Sequence, residues 1–356
     1  MRMRSPASFS CVFLLSASLP AILSAEGPTF SEFPVPTPFG LPVKITAGLD
    51  GNVWFTEVSK IGRITTSGAV TEFPVANQII SIASGADGNL WFAEPFVNKI
   101  GRITPLGVIT EFPIPTIGAQ PEGICTGPDG NVWFTELAGG KIGRITPLGQ
   151  ISEFPVSASV GTPNPTQITT GPDGNLWFTA NNPNRIVRMT TAGVTTDFPT
   201  PPLSQPFAIT AGPTGSQSLW FTALNPPALG RVTISGVVTE FSPATPTIGP
   251  SFGIVTGPDG AVWFADQGTN ALGRITPSGV VTEFPVPTPN SNLQTITLGP
   301  DGNLWFTEAT ANKIGRAVIQ TLPSPTPAPS SLFLTTIALA CLAASFVARR
   351  TRRRPG

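Results

Sequence analysis

The string GPDGNLWFTE occupies residues 299–308, returns as GPDGNVWFTE at 127–136 and, shortened to GPDGNLWF, at 171–178. A chain that rewrites ten residues along its length stacks copies of one small unit. All seven tryptophans share that register: Trp54, Trp91, Trp133, Trp177, Trp220, Trp263 and Trp305, spaced 37, 42, 44, 43, 43 and 42 residues apart. A period near 40 built from short alternating segments predicts propeller blades, so the fold class is all-β, a seven-bladed β-propeller.

Each unit reads as four strands, A to D. Strand A is a run such as Gly123–Gly127, a Pro-Asp-Gly turn leads to strand B (NVWFTE), a variable loop to strand C (KIGRIT), and a P-x-G turn to strand D (ITEFP). Asp-Gly between two apolar runs is a hairpin signal. The repeated Gly-Pro-Asp-Gly is read as turn chemistry rather than as a calcium loop, because no further acids follow at EF-hand spacing.

Six D strands follow the tryptophans, and the seventh unit ends in IGRAVIQTLP without one. A spare D strand, TFSEFP, stands at 29–34. The chain is therefore expected to begin with the outer strand of its last blade, and pairing of 29–34 with 313–319 would close the ring and remove open sheet edges. Every C strand carries an arginine (Arg63, Arg102, Arg144, Arg188, Arg231, Arg274, Arg316), and in six units an acid follows nine residues on. With two-residue C–D turns, Arg63 would face Glu72 across the strands, and closure would set Glu32 opposite Arg316.

The termini differ from the body. Residues 1–25 (MRMRSPASFSCVFLLSASLPAILSA) have a basic start, an apolar stretch and small residues at Ser24-Ala25, which predicts a secretory signal. Residues 26–320 form the propeller, and 321–331 are a Pro-rich spacer. The uncharged run LFLTTIALACLAASFVA (332–348) reads as a transmembrane helix, and the arginine-rich tail 349–356 as its cytoplasmic flank. This Pro-rich, apolar, basic layout resembles bacterial C-terminal sorting signals of the PEP-CTERM type, without a literal Pro-Glu-Pro. The expected location is the cell envelope or outer surface, anchored by the C-terminus. Without the terminal arginines, thirteen basic residues face twenty acidic ones, which argues against a nucleic-acid partner. Cys125 is the one cysteine of the exported body, so no disulfide can form within it.

The B–C and D–A loops vary in length while the turns of the opposite face are nearly fixed, so binding is assigned to the loop face around the central channel. Strand B ends there in Glu57, Glu94, Glu136, Ala180, Ala223, Asp266 and Glu308. Where the residue is Glu, a lysine follows (Lys60, Lys99, Lys141, Lys313), which suggests local ion pairs rather than a metal-binding ring; Asp266 has no such lysine. The start of strand A supplies a second channel set: Val43, Ile80, Glu122, Thr166, Phe207, Phe252 and Gln294. Glu122, Thr166, Phe207, Phe252, Asp266 and Gln294 are the candidate binding residues, with Glu122 and Asp266 the candidate catalytic carboxylates.

The combination GPDGNLWFTE…NKIGRITPxGxITEFPIPT, spread over about residues 29–320, resembles the virginiamycin B lyase (streptogramin lyase) family. The resemblance implies a seven-bladed propeller that linearises streptogramin B antibiotics by elimination at the ester bond, with a divalent metal, histidine and glutamate. The family places a catalytic histidine in a Glu-Pro-His-Gly-Ile frame; here the frame reads Gln120-Pro121-Glu122-Gly123-Ile124, and the chain contains no histidine. An elimination needs a base near neutral pH, the role that imidazole fills. The leading expectation is thus a tethered, monomeric module that binds a small molecule, peptide or cell-surface component without the family's activity. The alternatives are a metal-dependent lyase or lactone hydrolase with Mg²⁺ or Ca²⁺ held by channel carboxylates, and a bare spacer or surface-layer component.

Overall fold

A computed structural model describes residues 27–156, 163–201, 204–241, 249 and 252–320; the expected signal (1–25) and transmembrane helix (332–348) lie outside them. Among the described residues no helix is long and apolar enough to cross a membrane. They form seven four-stranded antiparallel sheets. Six sheets run in chain order from A to D. The seventh joins Leu293–Leu298, Leu304–Glu308 and Lys313–Val318 to the N-terminal strand Thr29–Pro34, which is its outer edge. The ring closes as the spare D strand implies.

The repeated turn explains itself chemically. In blade three the Gly127 amide donates to Asn131 O (2.8 Å), and Gly130 sits at φ 76°, a conformation that glycine adopts without penalty. Asp129 is the hub: its Oδ1 accepts from the Trp133 indole (2.9 Å) and the Asn131 amide (3.2 Å), and its Oδ2 from Asn131 Nδ2 (2.8 Å). A buried indole N–H needs an acceptor, and the turn aspartate supplies it in blades one, two, four, six and seven as well. These carboxylates are occupied by the fold.

The core lies between blades. All seven tryptophans are buried, and each stands beside the strand-D phenylalanine of its own blade, as with Trp54 on Phe73 (5.5 Å between centroids) and Trp133 on Phe154 (5.2 Å). At the joint Phe33 stacks on Trp305 (5.6 Å) and Phe30 meets Phe306 edge-on (6.1 Å), so the N-terminal strand supplies the aromatic partners that blade seven lacks. Trp305 then packs with Ile45, Phe55 and Ile64 of blade one.

The expected arginine–acid register is off by one. Arg63 faces Thr71, and Glu72 faces Gly62; at the joint Arg316 faces Ser31, and Glu32 faces Gly315. The cause is turn length. Thr65 N bonds Ala69 O, leaving three loop residues, Thr66-Ser67-Gly68, with Gly68 at φ 96°. A three-residue hairpin instead of a two-residue one shifts the register by one, which moves every side chain to the other face of its partner. The arginines lie over the Trp–Phe stacks: Arg316 Cζ is 5.5 Å from the Trp305 centroid and 5.6 Å from that of Phe33. They also rivet neighbouring blades, since Arg63 Nη1 donates to Pro105 O (2.8 Å) and Arg316 Nη1 to Thr66 O of blade one (2.8 Å). Arg274 departs from the pattern and bonds Asp259 (2.6 Å).

Candidate functional site

Two sets of charged side chains occupy the loop face and the channel beneath it. The outer set repeats. Lysines that open strand C meet strand-D acids: Lys60–Glu72 (2.6 Å), Lys99–Glu111 (2.5 Å), Lys141–Glu153 (2.9 Å) and Lys313–Glu32 (2.7 Å), with Arg185–Asp197 (2.8 Å) in blade four. A threonine from the preceding D–A crossover completes the cluster. Thr288 donates its amide (2.9 Å) and hydroxyl (2.6 Å) to Glu32, and Thr37 and Thr116 do the same to Glu72 and Glu153. The Pro-Thr that follows these D strands is therefore a clip between blades. Burial pushes the carboxyls of Glu32, Glu72 and Glu153 up, but the lysine and threonine bonds outweigh it and hold all three below the ordinary glutamate value.

The strand-B acids are not the lysines' partners. Glu57, Glu136 and Glu308 are buried, and neither oxygen of any of the three has a hydrogen bond of standard geometry. Burial, reinforced by the adjacent strand-D acid, raises all three to about 7. They are neutral acids through the mildly acidic range. Asp266 is likewise buried, with Oδ1 accepting the amides of Gly249 (3.0 Å), Gly268 (2.7 Å) and Thr269 (3.2 Å). It organises its own loop, does not line the channel cavity, and is not brought together with Glu122.

The channel wall is set by strand A, and strand A is held by the threonine that follows Trp-Phe on strand B. Thr56 Oγ1 accepts the Lys44 amide (3.1 Å). Thr135 Oγ1 accepts that of Gly123 (2.8 Å) and donates to Thr166 O in the next blade (2.6 Å). Thr179 accepts from Gln167 (3.1 Å) and donates to Phe207 O (2.6 Å). The A–B pairing shifts at this point in blades three, four, five and seven. A strand that breaks strict alternation can present two consecutive residues to one surface.

The resulting cavity, about 170 Å³, is lined by Val43, Lys44, Ile80, Glu122, Gln167, Phe207, Phe252, Gln294 and Thr295. Six of the seven strand-A positions assigned to the channel lie on it. Thr166 does not: it is buried, its hydroxyl 2.6 Å from Thr179 Oγ1, and Gln167 takes its place on the wall. Phe207 and Phe252 meet edge to face at 5.3 Å. Lys44, which the sequence reading passed over, is the cavity's one cation, with Nζ 5.8 Å from the Phe207 centroid. Its signal was present, since the residue after each assigned channel position (Lys44, Ser81, Gly123, Gln167, Ala208, Gly253, Thr295) is charged in blade one alone.

Lys44 and Glu122 face the same space, yet neither joins any ion pair found among the described residues. Burial lowers the Lys44 ammonium to about 8, offset in part by Glu122. Burial raises Glu122, offset by Lys44 and by the nearby amide of Gln167, whose Nε2 makes no hydrogen bond of standard geometry.

The comparisons with known proteins agree with this architecture. The virginiamycin B lyase family model matches residues 22–164 and 159–331. The chain belongs to the virginiamycin B lyase family. It is 34% identical to a streptogramin B lyase structure, covering 83% of this chain and 98% of that one with a TM-score of 0.76. It is also 34% identical to virginiamycin B lyase from Staphylococcus aureus, over 82% of this chain and 100% of that one, again with a TM-score of 0.76. The same figures hold for a catalytically inactive histidine-to-alanine variant of the S. aureus enzyme with quinupristin. No curated protein matches the chain.

The family resemblance implies a divalent metal, and the channel residues do not fit one. Hard dications take six or more oxygen ligands, carboxylates, carbonyls and waters, and a neighbouring cation opposes their binding. The cavity offers one carboxylate, Glu122, two carboxamides and an ammonium, Lys44, that competes for the same space. Among the described residues no three His, Cys, Asp or Glu side chains group as metal ligands.

Proposed function

We propose that this family member is an exported, envelope-tethered propeller that binds a small ligand in its central channel and has lost the family's lyase chemistry. The observation that carries the reading is the Lys44–Glu122 pair in a channel without histidine. Glu122 stands in the Pro-x-Gly-Ile frame where the family resemblance calls for the catalytic base, and a lysine now shares its cavity. Burial raises the Glu122 carboxyl and the Lys44 ammonium offsets part of that rise, but a carboxyl facing an ammonium across the cavity replaces the imidazole that the elimination calls for near neutral pH. Two unpaired charges and two aromatic faces around one cavity suit recognition instead. Export and tethering rest on the sequence of residues 1–25 and 332–354.

The lyase assay tests the chemical half of this reading. The purified chain, incubated with quinupristin and Mg²⁺, should linearise it no faster than a buffer control. Metal-dependent turnover that disappears in Glu122→Gln would establish the enzyme in its place. Fractionation tests the other half: the full-length chain should sediment with membranes, and a chain ending at Leu322 should be released. Full-length protein with an intact tail in the soluble fraction would contradict the tether.

A further inference from the structure

Every outer lysine of the propeller has a carboxylate within 2.9 Å. Lys44 has none, and Glu122 has no cation at that distance, although both open onto one cavity. Both side chains are partly buried in the channel, and neither has an opposite charge in contact among the described residues. Charges taken out of bulk water are normally paired. A site that holds one of each sign apart, across a shared space, is electrostatically complementary to a ligand that carries both signs.

The rest of the wall narrows the class. The Phe207 and Phe252 rings, with Val43 and Ile80, offer an apolar surface beside the charges, and Gln294 and Gln167 add carboxamides. Gln167 Nε2 is buried near Glu122 without a hydrogen bond of standard geometry and can donate to a ligand oxygen. At about 170 Å³ the cavity lies below the ~300–1,000 Å³ of pockets for drug-sized molecules. That volume is sufficient for a compact metabolite.

We propose that the central channel is a binding site for a free zwitterionic amino acid with an apolar side chain, its carboxylate on Lys44, its ammonium on Glu122 and its side chain against Phe207 and Phe252. The inference rests on the ligand-binding reading above and names its ligand class. Because the lysine is already lowered to about 8, binding weakens as pH rises through that value and the ammonium is lost. Lys44 and Glu122 are the cavity's charged residues, so no other wall group titrates against this trend.

The test is calorimetric titration of the full chain with leucine and phenylalanine, each against its two singly charged analogues: isocaproate and isoamylamine, hydrocinnamate and phenethylamine. The expected result is saturable one-to-one binding of an amino acid, with both analogues weaker by at least about tenfold. Lys44→Met and Glu122→Gln should each weaken the amino acid by a similar factor, while Lys44→Arg, which keeps the charge, should retain most of the affinity. Melting curves of each variant separate lost binding from lost folding. If the acid analogue binds as well as the amino acid and responds to Lys44→Met alone, the channel binds ligands but the zwitterion assignment is wrong. If no probe binds up to about 10 mM, or if binding ignores both substitutions, the proposal falls. Quinupristin turnover would instead overturn the reading beneath it.

Discussion

Lysine meets glutamate in two places in this molecule, and the two are built differently. On the outer strands Lys313 lies 2.7 Å from Glu32, and Thr288 fills the remaining sites of the same carboxylate from the neighbouring blade. In the channel Lys44 and Glu122 share a cavity without touching. The full lysine–acid–threonine cluster recurs in blades one and three, where it ties one blade to the next, and blade two keeps the Lys99–Glu111 pair without a threonine bond to the acid. The channel pair occurs once, and neither member joins an ion pair among the described residues. Repetition marks what the ring needs for its own stability; a single departure from the repeat, with its charges left open, marks what the ring is for.

The largest effect should come from breaking the outer cluster at the joint. Lys313→Met leaves Glu32 partly buried without its cation, and losing one partner of a buried charged bond costs about 1–3 kcal/mol. For a domain of this size that is a fall in melting temperature of roughly 2–4 °C per kcal/mol, with ligand affinity unchanged. Comparable stability of variant and parent by calorimetry would mean that the cluster is ornamental.

The strand-B acids give the comparison a pH axis. Glu57, Glu136 and Glu308 have folded values near 7, above the 4.5 of an exposed glutamate. The folded state therefore holds more protons between those values, and stability falls as pH rises from 4.5 to about 7. Glu32, Glu72 and Glu153 are shifted the other way, so their contribution is present above 4.5 and lost as pH falls below it. The melting temperature should be higher at pH 5.5 than at pH 8. In the triple variant Glu57→Gln, Glu136→Gln, Glu308→Gln the difference should shrink to a small remainder. A parent protein that melts equally at both pH values would show that these acids are solvated.

Blade five offers the smallest change in the opposite direction. It has Ala223 and Ala228 where blade three has Glu136 and Lys141, and its strand-D acid, Glu240, is raised by burial rather than lowered. Ala228 occupies the lysine position, because Gly230 faces Glu240 as Gly143 faces Glu153. Ala228→Lys should therefore supply the missing cation and stabilise the protein by about 0.2–1 kcal/mol, the scale of a partly exposed pair. Unchanged or lowered stability would show that the outer lysine needs its crossover threonine as well.

The blade count, the tryptophan register and the ring closure were legible in the sequence because a periodic hydrophobic pattern leaves little choice of fold. The partner of each arginine was not. It depended on whether a C–D turn holds two residues or three, and Thr66-Ser67-Gly68 is compatible with both. The Pro-Thr clips escaped notice because Thr288 and Glu32 are 256 residues apart in the chain and meet only when the ring closes. Lys44 escaped because strict strand alternation grants one wall residue per blade. In blade one Val43 N donates to Thr56 O and Thr56 N to Lys44 O, so both residues stand opposite Thr56; in blade four the shift at Thr179 brought Gln167 in and left Thr166 behind.

The stability of the double variant Lys44→Met, Glu122→Gln tests most directly whether the channel charges belong to function rather than to fold. Lys44 titrates near 8 in the folded protein, below the ordinary lysine value of 10.5, so at pH 7 its charge opposes folding. Removing it together with its counter-charge should leave the stability unchanged or raise it by on the order of 1 kcal/mol, with the melting temperature following, while amino acid binding is lost. A double variant that melts as low as Lys313→Met would contradict the account, for the channel charges would then be holding the ring together as the outer ones do.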